Sequence, residues 1–129
     1  MPLISKRKIL IIDDERGFCE IVKLNLEATQ LFDVEMETDS CKARQAALHF
    51  RPDLILLDVI MANKEGPDVI VDLKESPFLK DIPIVFLTAT VTPQEAAMEN
   101  GVIGGRPFVA KPSSLEILLK AIEKNLTVV

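Results

Sequence analysis

The chain has no tryptophan and no tyrosine, one histidine and two cysteines among its 129 residues. Cys19 and Cys41 form neither a C-x-x-C pair nor a metal-ligand spacing, which excludes a redox or zinc motif. They read as two structural thiols in a reduced compartment. The lone histidine, His49, falls near a helix end, where histidine is a dipole or surface residue. It is assigned no role. A basic excess is also lacking: the net charge is −5, which argues against direct nucleic-acid binding, since that backbone attracts basic surfaces. No apolar run approaches the roughly 18 residues of a membrane span. The basic start, Met1 to Lys8, is followed only by Ile9 to Ile12 before Asp13-Asp14-Glu15, too short for a signal-peptide core. Lys6-Arg7-Lys8 then reads as a solvated N-terminus. The expected location is cytoplasmic, with no membrane partner. Repeats, low-complexity tracts and linkers are absent.

What is present is a globular composition, 48% hydrophobic and 27% charged, long enough for a buried core. One domain over 1–129 is expected, with its core at about 7–126. Short apolar runs alternate with longer amphipathic segments, the pattern of a βα-repeating parallel sheet. Strands are predicted near 8–13, 33–38, 53–58, 82–88 and 106–110, and helices near 15–30, 40–50, 66–76, 93–100 and 114–126. Val34, Met36 and Thr38 alternate with Glu35 and Glu37, as in a half-exposed edge strand. Pro107 marks the fifth strand as an edge too. Two such edges around three continuous apolar strands predict the order 2-1-3-4-5. Thr92-Pro93-Gln94-Glu95 and Ser113-Ser114-Leu115-Glu116 predict capped starts for the fourth and fifth helices. Gly101 would stop the fourth helix early. Asp39 and Ser40 read as caps for the second helix.

Chemistry gathers where the apolar runs end. Asp13 and Asp14 follow Ile9-Leu10-Ile11-Ile12, and Asp58 follows Leu54-Ile55-Leu56-Leu57. Thr88 closes Ile84-Val85-Phe86-Leu87, and Lys111 follows Phe108-Val109-Ala110. In an open parallel sheet, side chains just past the carboxyl ends of neighbouring strands share one crevice. Each acid alone could be no more than a helix cap. Together they offer hard oxygen ligands for Mg²⁺, with Mn²⁺ as an alternative. Lys111 and the Thr88 hydroxyl suit phosphoryl oxygens. A plain Lys111–Asp58 salt bridge is the simpler alternative.

The runs Ile11-Ile12-Asp13-Asp14, Leu56-Leu57-Asp58-Val59-Ile60-Met61, Gly66, Leu87-Thr88-Ala89 and Lys111-Pro112 together resemble the receiver domain of two-component response regulators. The resemblance covers nearly the whole chain and implies a doubly wound (βα)5, flavodoxin-like α/β fold, as in CheY. It implies a phospho-acceptor role for Asp58, fed by a sensor histidine kinase or phosphotransfer protein, so a switch and not an enzyme. Asp13, Asp14, Asp58 and the Ile60 backbone carbonyl would hold the metal. Thr88 would be the switch hydroxyl, Lys111 the phosphate-binding lysine and Phe108 the switch aromatic, though Phe108 also fits an ordinary edge-strand residue. The Lys111–Pro112 peptide would be cis. Phosphorylation would change the face formed by the fourth helix, fifth strand and fifth helix (93–100, 106–110 and 114–126) for a downstream protein target or output domain. A phosphorylation-dependent dimer is also compatible with the resemblance.

Two departures stand out. Ala62 occupies a place where the family often has proline, which implies a looser loop. Gly101 to Phe108 is longer than the family's usual stretch, on the face that would meet partners. Ile60 and Thr90 lie two residues past Asp58 and Thr88, where family side chains border the path of attacking water; the apolar Ile60 predicts a long-lived phospho-form. A haloacid-dehalogenase-type phosphatase would need a second acid two residues after its nucleophile, and Ile60 is there. A flavodoxin-like flavin binder would need aromatic rings and a phosphate loop in place of Asp13-Asp14-Glu15. A receiver that only binds partners, without phosphorylation, remains a third reading. No residues follow the last helix for an output domain, so the chain reads as free-standing or as a segment of a larger regulator or hybrid kinase.

Overall fold

A computed structural model describes residues 5–89, 102–103, 106–111 and 114–126. The elements run β1 (Arg7–Ile12), α1 (Arg16–Ala28), β2 (Phe32–Glu37), a 3-10 turn (Ser40–Lys42), α2 (Ala43–Phe50), β3 (Leu54–Asp58), α3 (Gly66–Lys74), β4 (Ile84–Thr88), β5 (Val102–Ile103), β6 (Arg106–Ala110) and α4 (Leu115–Asn125). The helix expected at 93–100, with its Thr92 cap and Gly101 stop, lies outside the described residues. Five strands are parallel, in the order β2-β1-β3-β4-β6, which is the expected 2-1-3-4-5 arrangement. The sheet is doubly wound, a flavodoxin-like α/β fold.

Burial on both faces explains the continuous apolar runs. In β1 and β3, Ile9 to Ile12 and Leu54 to Leu57 are all within 1% of complete burial. Each such side chain is worth about 1.5–3 kcal/mol when fully buried. Alternate residues face opposite sides of the sheet. Ile9, Ile11, Leu54 and Leu56 pack with Val22 and Leu26 of α1 and Ile122 of α4. Leu10, Ile12, Ile55 and Leu57 pack with Ala47 of α2 and Val69 and Leu73 of α3. Among the described residues, no helix is long and apolar enough to cross a membrane.

The fifth parallel strand is not a bare edge. β5 pairs antiparallel with its first two residues, Val102 opposite Pro107 and Ile103 opposite Arg106. The parallel ladder between β4 and β6 starts only at Phe86–Phe108. Pro107, which cannot donate a ladder hydrogen bond, thus lies before the parallel ladder begins. The stretch lengthened between Gly101 and Phe108 contains this added pairing. The last helix is capped one residue later than its motif suggested: Ser114 Oγ accepts from Ile117 N at 3.2 Å. Ser113 lies outside the described residues.

Candidate functional site

β1 and β3 are neighbours whose following helices, α1 and α3, pack on opposite faces, so their carboxyl ends frame a topological switch point. Asp13, Asp14 and Asp58 meet there, with one carboxylate oxygen from each lying within 4.8 Å of the others. Asp13 and Asp58 are buried and Asp14 is exposed. The backbone locks this end of the sheet: Asp13 N donates to Glu37 O, Val59 N to Leu87 O and Lys111 N to Thr88 O. Thr88 is buried at the end of β4, one residue beyond Leu87, the cross-strand partner of Asp58. Phe108 is already buried on β6, opposite Phe86.

The simple Lys111–Asp58 bridge gives way to a wider arrangement. Lys111 Nζ lies 2.7 Å from Asp13 Oδ2, 2.7 Å from Glu15 Oε1 and 3.8 Å from Asp58 Oδ2. It also sits 4.4 Å from the centroid of the Phe18 ring, a cation–π contact. Burial disfavours the ammonium, but the hydrogen bonds to Asp13 and Glu15 outweigh it and raise its pKa. Asp58 shows the opposite balance. Burial, then the charge of Asp13, push its carboxyl up to about 6 against the pull of Lys111, with Asp14 adding to the rise. Repulsion and desolvation win at Asp58.

The loop after Asp58 is fastened, against the expectation from Ala62. Ala62 N donates to Asp14 Oδ2 at 2.9 Å, a bond that proline could not make. Ser40, read from sequence as a helix cap, is instead a buried clamp on this loop. Its hydroxyl donates to Ala62 O and accepts from Lys64 N, both at 3.0 Å. Nor does Asp39 cap α2: it accepts from Cys41 N and so caps the 3-10 turn, while Lys42 holds the capping position of α2 without a side-chain bond. Asn63 takes a left-handed φ of 66°, a conformation that asparagine tolerates. Ile60 lies in the same loop with its side chain 58% exposed. Gly66 closes the loop: its N–H donates to Val59 O. A Cβ there would stand 2.7 Å from Asp58 O and 2.9 Å from the Phe86 ring, so glycine lets α3 abut the end of β3.

Asp13 is not the cap of α1. Its Oδ1 accepts from Glu15 N, whereas Glu15 holds the capping position without a side-chain bond. Only one cysteine is structural. Cys19 is buried, donates to Asp13 O, and has its thiol pushed up to about 12 by burial; Cys41 is exposed. Thr90 and Pro112, with the expected cis peptide, lie outside the described residues.

The family model for the response regulator receiver domain matches residues 9–123. The chain belongs to that family. It is 31% identical over 119 residues to the DNA-binding dual master transcriptional regulator RpaA of Synechocystis sp., covering 92% of this chain and 48% of that protein. It is 27% identical over 126 residues to a probable cyclic di-GMP phosphodiesterase of Vibrio cholerae, covering 98% and 28%. The chain therefore spans about half or less of the length of these curated relatives. Among solved structures it is similar to the chemotaxis protein CheY4 of Vibrio cholerae, with TM-score 0.79, 27% identity and coverage of 95% and 100%. The non-phosphorylated HemR receiver domain of Leptospira biflexa gives TM-score 0.74 and 27% identity, covering 96% and 97%.

Receiver domains bind Mg²⁺ in an acidic pocket, and this trio suits that ion. Its donors are hard carboxylate oxygens, and their crowding leaves negative charge that Lys111 does not fully offset. Glu15, Phe18 and Ser40 border the site without having been assigned to it from the sequence. Glu15 is hidden in an acidic run, Phe18 in an amphipathic helix and Ser40 behind a capping pattern.

Proposed function

We propose that Asp58 accepts a phosphoryl group from a histidine kinase or phosphotransfer protein, and that residues 1–129 act as one receiver domain with its core at about 7–126. The observation that carries this reading is the buried Asp58 carboxylate flanked by Asp13, Asp14 and the Lys111 ammonium. An Asp58 oxygen attacks phosphorus, the P–N bond to the donor imidazole breaks, and the imidazole leaves with the electron pair and takes a proton from water. Lys111 and the Thr88 hydroxyl each meet a phosphoryl oxygen. Asp13, Asp14, Asp58 and the Ile60 carbonyl would hold Mg²⁺, which would supply positive charge to offset that of the carboxylates and the incoming phosphoryl group.

The phosphorylated site biases Thr88 and Phe108, and through them the face that includes β6 and α4. That face meets a downstream protein or an output domain, and a phosphorylation-dependent dimer is one form it can take. Two free thiols suit a reducing compartment, here the cytoplasm. On the donor side, α1 turns Ile21 and Leu24 outward, 61% and 70% exposed, on the helix whose first turn borders the site. The phosphohistidine protein docks there.

Intact mass after incubation with Mg²⁺ and acetyl phosphate tests the reading. Wild type gains one phosphoryl group, and Asp58→Asn or removal of Mg²⁺ abolishes the gain. A folded wild type that takes no phosphoryl group from acetyl phosphate or from a kinase would leave only the partner-binding reading.

A further inference from the structure

Lys111 has three N–H bonds to give. Two are spent at 2.7 Å, on Asp13 Oδ2 and Glu15 Oε1, while Asp58 Oδ2 stands off at 3.8 Å, beyond a hydrogen bond. Asp13 is completely buried at the end of β1, so its grip is fixed by the fold. Glu15 differs: its side chain is 65% exposed and is not one of the three clustered acids. Building on the acceptor reading above, we propose that Glu15 is a positioning residue that holds Lys111 away from Asp58 at rest and releases it when a phosphoryl group arrives.

The competition is for the position of one ammonium. A phosphoryl group on Asp58 brings new anionic oxygens towards Lys111, whose own side chain is only 7% exposed. Its third N–H can meet such an oxygen, but closing the 3.8 Å gap to Asp58 draws the ammonium away from one of its two present partners. Water can replace the ammonium at Glu15 with little loss, because exposed ion pairs are weak; it cannot reach buried Asp13 in the same way. Phe18, with its ring centroid 4.4 Å from the ammonium, gives Lys111 an apolar bed on which to swing without leaving the site. Glu15 thus adds a modest cost to each phosphorylation event.

Removing the Glu15 charge should therefore speed acceptance. Glu15→Gln is expected to raise the rate constant for phosphorylation by acetyl phosphate about two- to five-fold at saturating MgCl2, the range open to an exposed pair. Acetyl phosphate is an anion, so any lost carboxylate near the mouth could help it approach. Glu20→Gln, an exposed acid on the same helix, measures that general effect and should change the rate less. The decisive comparison is Glu15→Gln in a Lys111→Ala background, where the acceleration should disappear. Persistence of the acceleration there would show that Glu15 acts on the donor and overturn the proposal. A phosphorylated wild type with an unchanged Glu15→Gln rate overturns this role alone. A wild type that accepts no phosphoryl group overturns the acceptor reading and this role together.

Discussion

Asp58→Asn should stabilise the metal-free protein even as it removes the proposed acceptor. The Asp58 carboxyl is pushed from 3.8 up to about 6, first by burial and then by Asp13, despite Lys111. The folded protein therefore holds this proton more tightly than the unfolded chain does. As pH rises from about 4 to about 6, the folded state loses that advantage, so stability falls across this window and stays reduced above it. At 1.36 kcal/mol per pH unit, the full rise is worth about 3 kcal/mol. Lost contact with Lys111 and imperfect bonding of the new amide reduce the realised gain to about 1–2 kcal/mol. For a chain of 129 residues, that is about 3–8 °C in Tm. Thermal melts by circular dichroism in EDTA, from pH 4 to pH 8, would measure it. The variant should melt well above wild type at pH 8 and close to it at pH 4, and MgCl2 should stabilise wild type more than the variant. A variant that melts at or below wild type at pH 8 would sink the argument. It would mean that attraction to Lys111 exceeds desolvation and repulsion.

Ala62→Pro should cost about 1 kcal/mol in urea unfolding, because it deletes the N–H that Asp14 accepts and so forfeits the usual benefit of proline. Gly66→Ala should lose about 1–3 kcal/mol and slow phosphorylation, since the new methyl presses on the Asp58 carbonyl. The aspartyl phosphate of wild type should decay over many minutes, and Ile60→Asn should shorten that lifetime by offering attacking water a hydrogen bond; decay within seconds in wild type would refute the shielding role of Ile60. Ile21→Glu with Leu24→Glu should spare phosphorylation by acetyl phosphate while cutting transfer from a phosphohistidine protein by about ten-fold or more, as expected when apolar anchors of an interface are replaced by charges.

The parallel sheet and the acidic crevice were legible because burial on both faces forces unbroken apolar runs. A charged residue that ends such a run can only lie at the strand's carboxyl end. Asp13, Asp58 and Lys111 all follow that logic, and the trio of acids assembles as expected. The partner of Lys111 was harder to read. Glu15 is one more acid in Asp13-Asp14-Glu15, and nothing in the run says which carboxylate the ammonium takes. Ser40 is a buried hydroxyl whose partners, Ala62 and Lys64, are 22 and 24 residues away; sequence shows only its resemblance to a helix cap. The antiparallel pairing of β5 involves two residues on each side, too few to leave a periodicity.

The two thiols divide the labour of observation. A chain without tryptophan or tyrosine is nearly silent in fluorescence, so events at Asp58 pass unseen by intrinsic emission. Cys19 is buried with its thiol pushed up to about 12, whereas Cys41 is exposed and adjoins Ser40, the clamp on the loop that follows Asp58. A maleimide dye should therefore attach at one place without any engineered cysteine. Its emission would report, in real time, whether that loop shifts as the acceptor is charged and discharged.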